Sequence, residues 1–145
     1  KVDANLLWTI AYLETRFRPW LTSPKKARGL MQFMPLTAAA YNLVNPFDPT
    51  ASINAAAKHL KHLTIRFQGH AALILAAYNA GETRVAAYLR RRIRPKNRPK
   101  RSEIVRSNVG VPPYAETRAY VSRGVQILRI LKAFRTVKKF NLQLD

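Results

Sequence analysis

The sequence predicts an all-α fold, one compact domain whose helices are joined by irregular loops. Three observations point there. Apolar residues recur every three or four positions along most of the chain, start and stop residues bracket those runs, and strand-like alternation is weak throughout. With 145 residues, 48% of them hydrophobic, the chain has the length for one domain and one core. It carries no internal repeat of fixed period, and its prolines and glycines are scattered as punctuation.

The first helix is expected after Asp3, a natural N-cap, with Leu6, Leu7, Ile10, Leu13, Glu14 and Phe17 on one broad face until Pro19 ends the run. "RPWLTSPKKARG" then reads as irregular backbone, marked by its prolines and glycine. In "LMQFMPLTAAAYNL" a short turn or helix precedes a helix entered through Pro35, where a missing N–H costs little. "NPFDPT" is a second start signal, with Asp48 as cap and Pro49 in the first turn. Ile53, Ala56, Ala57, Leu60, Leu63, Thr64 and Phe67 then carry a helical stripe toward Gly69.

A nearly all-apolar helix from about His70 to Tyr78 is expected at the centre, stopping at "NAG". Another short helix begins near Glu82 and runs into "RRRIRPKNRPKR", residues 90–101, with eight Lys or Arg in twelve positions. That run reads as an exposed, mobile loop, the heart of a basic insertion spanning about 90–108. Past Pro112 and Pro113 a long helix is expected over about 114–136, with Tyr120, Val121, Val125, Leu128, Leu131 and Phe134 as its buried stripe.

Charge narrows the partners without naming one. Lys and Arg number 26 against 7 Asp and Glu, a formal charge of +19 that attracts nucleic acid, anionic membrane or acidic cell-wall polymer alike. The absence of cysteine excludes disulfides, thiolate metal sites and a Cys nucleophile. Lys1 is not an initiator Met and no signal pattern follows it, so the chain reads as a processed or excised piece. No apolar stretch approaches the roughly 18 residues that span a bilayer.

The residue that asks for chemistry is Glu14, in "AYLETRF". It lies one turn after Ile10 and two after Leu7, on the apolar side of the first helix. A carboxyl there loses solvation of its charged form, so its pKa rises and it holds a proton near neutrality. General acids for glycosidic bonds need that property. The simpler alternative is a Glu at the helix edge, paired with Arg16 or Arg18.

Four stretches in order decide between these. "ETRF" on the first helix, "ARGLMQFMP" about fifteen residues later, "AAYNAGETRV" in the middle and "PYAETRAYV" opening the last long helix resemble the lytic transglycosylase family, the soluble type with a goose-lysozyme-like domain. The resemblance runs from about residue 3 to 134 and implies a lysozyme-like helical fold, so that residues 1–145 form one transglycosylase catalytic domain.

What the resemblance implies falls on particular residues. Glu14 sits where the family has its single catalytic acid/base, with Thr15 where the family usually has Ser. Gly29, Leu30, Met31 and Gln32 match the "GLMQ" that walls the sugar subsites, and Tyr78 and Asn79 match the "YN" near the scissile bond. Glu116 and Tyr120 match the "ETxxYV" pair, the Tyr near the catalytic carboxyl and the Glu lower in the cleft. Elementary chemistry agrees. Glu116 and Tyr120, four apart, are neighbours on one helix face; Gly29 permits tight backbone and close approach to a sugar ring; Asn79, expected just past a helix end, tolerates left-handed backbone. Core packing stands as the alternative for Met31 and Tyr78, and helix-start capping for Glu116.

The implied substrate is the peptidoglycan glycan strand and the implied location the bacterial cell envelope, periplasmic or extracytoplasmic. The implied reaction is cleavage between N-acetylmuramic acid and N-acetylglucosamine without water, leaving 1,6-anhydro ends. A lysozyme-type hydrolase is the alternative. One carboxylate suffices if the substrate supplies the nucleophile, which suits a chain with few acids to offer. No cofactor or metal is implied: His59 and His62, three apart, and His70 read as solvated helix histidines with no Cys or acidic partner nearby. A nucleic-acid module is the rival reading of the charge, yet residues 90–101 lack the aromatics that stack bases, so any such binding is expected to be non-specific. The charge is better suited to holding the domain on anionic envelope polymers, with a merely solvated insertion as the alternative.

Overall fold

The computed structural model describes residues 2–92 and 110–141, with side chains through residue 136. Six helices account for them: α1 (Ala4–Thr15), α2 (Pro35–Ala40), α3 (Pro49–Arg66), α4 (Ala71–Ala80), α5 (Glu82–Arg92) and α6 (Ala115–Asn141). Among the described residues no strand forms. Two isolated antiparallel bridges, Thr22 with Arg28 and Arg28 with Phe33, tie the loop between α1 and α2. The all-α architecture read from periodicity is what the chain adopts, and no described helix is long and apolar enough to cross a membrane.

Both predicted caps form. Asp3 accepts from Asn5 N at 2.9 Å, and Asp48 accepts from Ala51 N at 3.0 Å, each satisfying an otherwise orphaned amide. Pro35 and Pro49 enter α2 and α3 at the first turn, as expected. The C-terminus of α1 differs. Arg16 and Phe17 adopt left-handed backbone, with φ of 51° and 62°, and the helix ends at Thr15 rather than running to Pro19. The break swings Phe17 off the predicted core face. It lies exposed, packed on Trp8 and Tyr12 with ring centroids 5.1 and 6.0 Å away.

The core gathers round α4, where Leu73, Ile74, Leu75, Ala76 and Ala77 are all buried, and α6, α5 and α3 pack against it. A helix hydrophobic on every face belongs there. α4 does not stop at "NAG"; it continues through Asn79 and Ala80 and ends at Gly81. On α3 the inner face holds Ala56, Leu60 and Leu63, but Ile53 is exposed, and the smaller Ser52 and Ala55 take the inner position in its first turns.

α6 closes the core against α1 and α4. It comes near enough that a Cβ on Gly124 would sit 2.7 Å from Leu75 Cδ1 and 3.1 Å from Leu13 Cδ1. Tyr120, Val121 and Leu128 are buried and Val125 and Leu131 half-buried, but Phe134 is 70% exposed, because the helix outruns the core past residue 131. The basic segment is not loop from its start. Arg90, Arg91 and Arg92 form the last turn of α5, where cations face the negative end of the helix dipole. The rest of the expected mobile loop, residues 93–101, and of the basic insertion to about 108 lies outside the described residues.

Candidate active site

Glu14 occupies the last turn of α1, half-buried, and its environment decides its chemistry. Tyr120, on the first turns of α6, donates its hydroxyl to Glu14 Oε1 at 2.7 Å. Burial raises the Glu14 pKa from 4.5 to about 7; the Tyr120 hydrogen bond opposes the rise and the Glu116 charge adds to it. The carboxyl therefore exchanges a proton near neutral pH. The edge-of-helix alternative, a Glu paired with Arg16 or Arg18, does not occur: Arg18 Nε instead donates to Thr15 O at 2.9 Å.

The loop before α2 holds this end of α1 in place through its main chain. Thr15, 2% exposed, has its hydroxyl 2.9 Å from Leu30 O and 3.2 Å from Ala11 O, and accepts from Arg18 N at 3.3 Å. Tyr78 on α4 donates to Met31 O at 2.9 Å. The Leu30 and Met31 side chains are themselves buried, so what this stretch turns toward Thr15 and Tyr78 is carbonyl oxygen. Met31 fills the core, the alternative its sequence left open.

Gly29 and Gln32 shape the same loop. Gly29, at φ +73°, is crowded by the chain itself, since a Cβ there would lie 1.7 Å from Pro46 O. The close approach to Pro46 by itself requires glycine here. Gln32, also left-handed at φ 49°, donates through Nε2 to Gly29 O at 2.9 Å and Leu21 O at 3.2 Å.

Two adjoining hollows open beside these groups. One, of about 420 Å³, is lined by Gln32, Phe33, Met34, His59, Tyr78 and Asn79 among others. The second, of about 400 Å³, is lined by Tyr114, Glu116 and Thr117. Lys25, Asn79, Ala80 and Arg84 border both. Asn79 sits inside α4, not beyond its end, and its Oδ1 accepts from the Thr117 hydroxyl at 2.8 Å, which fixes the amide against α6. Glu116 is exposed and paired with Lys25 Nζ at 3.3 Å. The ten predicted residues thus converge on one side of the molecule. Gln32, Tyr78, Asn79 and Glu116 line the hollows, Glu14 and the buried Tyr120 form a bonded pair that feels the Glu116 charge, and Thr15, Gly29, Leu30 and Met31 are the support behind them.

A family profile described as the transglycosylase SLT domain matches residues 1–100. The chain belongs to the transglycosylase SLT domain family. Three of the four motifs fall inside that match. The fourth, with Glu116 and Tyr120, is reached by a structural likeness covering 93% of this chain: the 70 kDa soluble lytic transglycosylase SLT70 from Escherichia coli, at TM-score 0.74 and 26% identity, over 22% of that protein. Membrane-bound lytic murein transglycosylase F of Histophilus somni (strain 2336) is 37% identical over 86 residues, 55% of this chain and 18% of that one. Peptidoglycan transglycosylase gp16 of Escherichia phage T7 is 37% identical over 91 residues, 58% of this chain and 7% of that one. The chain therefore spans a fifth or less of the two curated relatives and little more of SLT70, and it has the lysozyme-like helical fold of the SLT catalytic domain.

Sequence reasoning missed parts of this SLT domain. The histidines are not all solvated. His59 is half-buried against Tyr41, Phe33 and Tyr78, bonds the Tyr41 hydroxyl through Nδ1 at 2.9 Å, and is pushed down to about 4, chiefly by burial. His62 has an acidic partner after all, Glu82 Oε2 at 2.7 Å. Among the described residues no three His, Cys, Asp or Glu are grouped to hold a metal. Thr117, Lys25 and Arg84 also went unread. Thr117 was findable, three residues before Tyr120 on the same helix face; nothing in the sequence marks Lys25 as a neighbour of Glu116, 91 residues away.

Proposed function

We propose that this SLT domain is a peptidoglycan lytic transglycosylase in which Glu14 serves as acid and then as base. The supporting observation is the half-buried carboxyl with a pKa near 7, held by the Tyr120 hydroxyl and close enough to Glu116, on the wall of the second hollow, to feel its charge. Protonated Glu14 gives its proton to the bridging oxygen between N-acetylmuramic acid and N-acetylglucosamine, and the C1–O bond breaks with positive charge developing at C1. The 2-acetamido group of the same sugar carries that charge, and the exposed Glu116 carboxylate favours it electrostatically. The Glu14 carboxylate then takes the proton of the muramic C6 hydroxyl as its oxygen bonds to C1, closing the 1,6-anhydro ring. Both substrate groups are already tethered, so an intramolecular hydroxyl outcompetes water on effective concentration.

The Tyr120 hydroxyl suits both halves, since it donates to the charged carboxylate and stays in place when the proton returns. Tyr78 and Tyr120 are themselves pushed well above the ordinary tyrosine range, first by burial and then by the Glu14 charge, and remain donors rather than competing bases. The same reading places the domain in the bacterial cell envelope, working on glycan strands, its positive charge holding it to anionic envelope polymers. Mass spectrometry of the fragments released from purified sacculi tests the reaction. Anhydro-muramic ends are expected; reducing muramic ends would make the domain a lysozyme-type hydrolase.

A further inference from the structure

The two hollows share a wall that sugar hydroxyls alone do not explain. Lys25 and Arg84 both border both of them. Some cations outside the hollows are tied to protein groups: Arg66 to Glu82, Arg18 to Thr15 O, Arg92 to the Tyr88 hydroxyl. The Arg84 guanidinium has no hydrogen bond or ion pair among the described residues. The nearest acid in the first hollow does not neutralise it, because both Glu82 oxygens are engaged, Oε1 by Arg66 and Oε2 by His62. Lys25 has one partner, Glu116, in a pair whose side chains are 77% and 71% exposed, and such pairs are weak and readily exchanged. Asn79 adds a neutral donor. With Oδ1 accepting from Thr117, its amide nitrogen is the group left to face a ligand.

An ammonium, a guanidinium and an amide at one cleft boundary form a recognition set for a carboxylate. Resting on the reading of the domain as acting on glycan strands, we propose that Lys25, Arg84 and Asn79 form an anion subsite. It takes a carboxylate carried by the strand and distinguishes acidic strands from neutral chitin-like ones. The carboxylate comes either from the peptide attached to muramic acid or from the lactyl ether of muramic acid once that peptide is removed. Lys25 leaves Glu116 to meet it.

The test is binding, measured with Glu14→Gln protein so that cleavage plays no part. Three ligands are titrated: soluble strands with peptides, strands stripped of peptide that keep free lactyl carboxylates, and neutral chitohexaose. Lys25→Met and Arg84→Met are each expected to weaken a carboxylated strand about tenfold, the value of one charge-assisted contact, and to leave chitohexaose unchanged. Loss confined to peptide-bearing strands assigns the peptide carboxylate; loss on stripped strands assigns the lactyl group. A Lys58→Met, Lys61→Met double variant on α3 removes two charges away from the cleft and is expected to bind all three ligands as before. Equal weakening in that control, equal weakening of chitohexaose, or no weakening at all would overturn the subsite. Because binding is read without turnover, a domain that cleaves nothing would refute the proposed reaction and still leave this result to be scored.

Discussion

Glu14 and Glu116 are two carboxylates close enough for the charge of one to act on the other, and the protein treats them oppositely. Glu14 ends α1 with the core behind it and one donor, Tyr120, in front, and its pKa sits near 7. Glu116 opens α6 in the open, held only by an equally exposed lysine. An acid at the start of a helix also complements the dipole there. Position alone makes one a proton donor at neutral pH and leaves the other an exposed carboxylate beside a lysine. Few acids are needed when two environments give them different work.

The comparison breaks first on activity. Glu14→Gln is expected to lower release of soluble muropeptides from sacculi by about a thousandfold, the scale of a lost general acid. Glu116→Gln is expected to lower it about tenfold, as a charge acting at a distance. Equal losses would erase the distinction between the two sites.

The same burial has a thermodynamic consequence. A carboxyl whose pKa is 4.5 unfolded and about 7 folded binds its proton more tightly in the native state, so stability is favoured below pH 4.5 and lost as pH rises through 7. The shift corresponds to about 3 kcal/mol. His59 acts in the other direction: its folded pKa near 4 lies below the unfolded 6.5, so its contribution is full above 6.5 and lost as pH falls through 4. The two slopes nearly cancel in the native protein between about pH 4.5 and 6.5. The difference between native and Glu14→Gln protein isolates the first. By denaturant unfolding, the variant is expected to gain on the native protein by about 3 kcal/mol between pH 4 and pH 8. A pH-independent difference would mean that Glu14 is solvated.

How much of this the sequence revealed follows from what each feature depends on. Asp3, Asp48, Pro35 and Pro49 act through the few residues after them, and each was readable. The helical type of every element was readable too, because period is local. Where α1 stops was not, since Arg16 and Phe17 leave the helix for left-handed backbone that no proline or glycine forces. The outward turn of Phe17 follows from that. Glu14 was legible as a buried acid from its neighbours at positions 7 and 10. The support beneath it was not, because Thr15, Tyr78, Leu30 and Met31 meet through carbonyl oxygens, and a carbonyl has no side-chain signature. Resemblance picked out residues that meet in the structure and assigned several to the sugar; the geometry adds a packing duty for two of them, Gly29 against Pro46 and Thr15 against two main-chain carbonyls.

That support is breakable on its own. Thr15→Val keeps the shape and removes the one hydroxyl proton shared between Leu30 O and Ala11 O; Ala11 O keeps a backbone donor from Phe17 N, Leu30 O loses the nearer bond, and stability is expected to fall by about 1–3 kcal/mol. Activity measured well below the melting temperature separates positioning from folding. A drop beyond the unfolded fraction would show that the bond to Leu30 also aims the end of α1.

The smallest effects carry the sharpest sign. The acid form of Glu14 is the working form at the first step, so kcat/KM on soluble strands is expected to fall as pH rises through about 7. Tyr120→Phe removes the hydrogen bond that favours the charged carboxylate and is expected to move that limb to higher pH. Glu116→Gln removes the repulsion that disfavours it, and also leaves the Lys25 ammonium unpaired nearby; both changes move the limb to lower pH. The Glu116 displacement is expected to be the smaller, since its charge is the least of the three causes acting on Glu14. A limb unmoved in both variants would mean that desolvation alone sets Glu14 and that the exposed carboxylate has no electrical hold on the buried one.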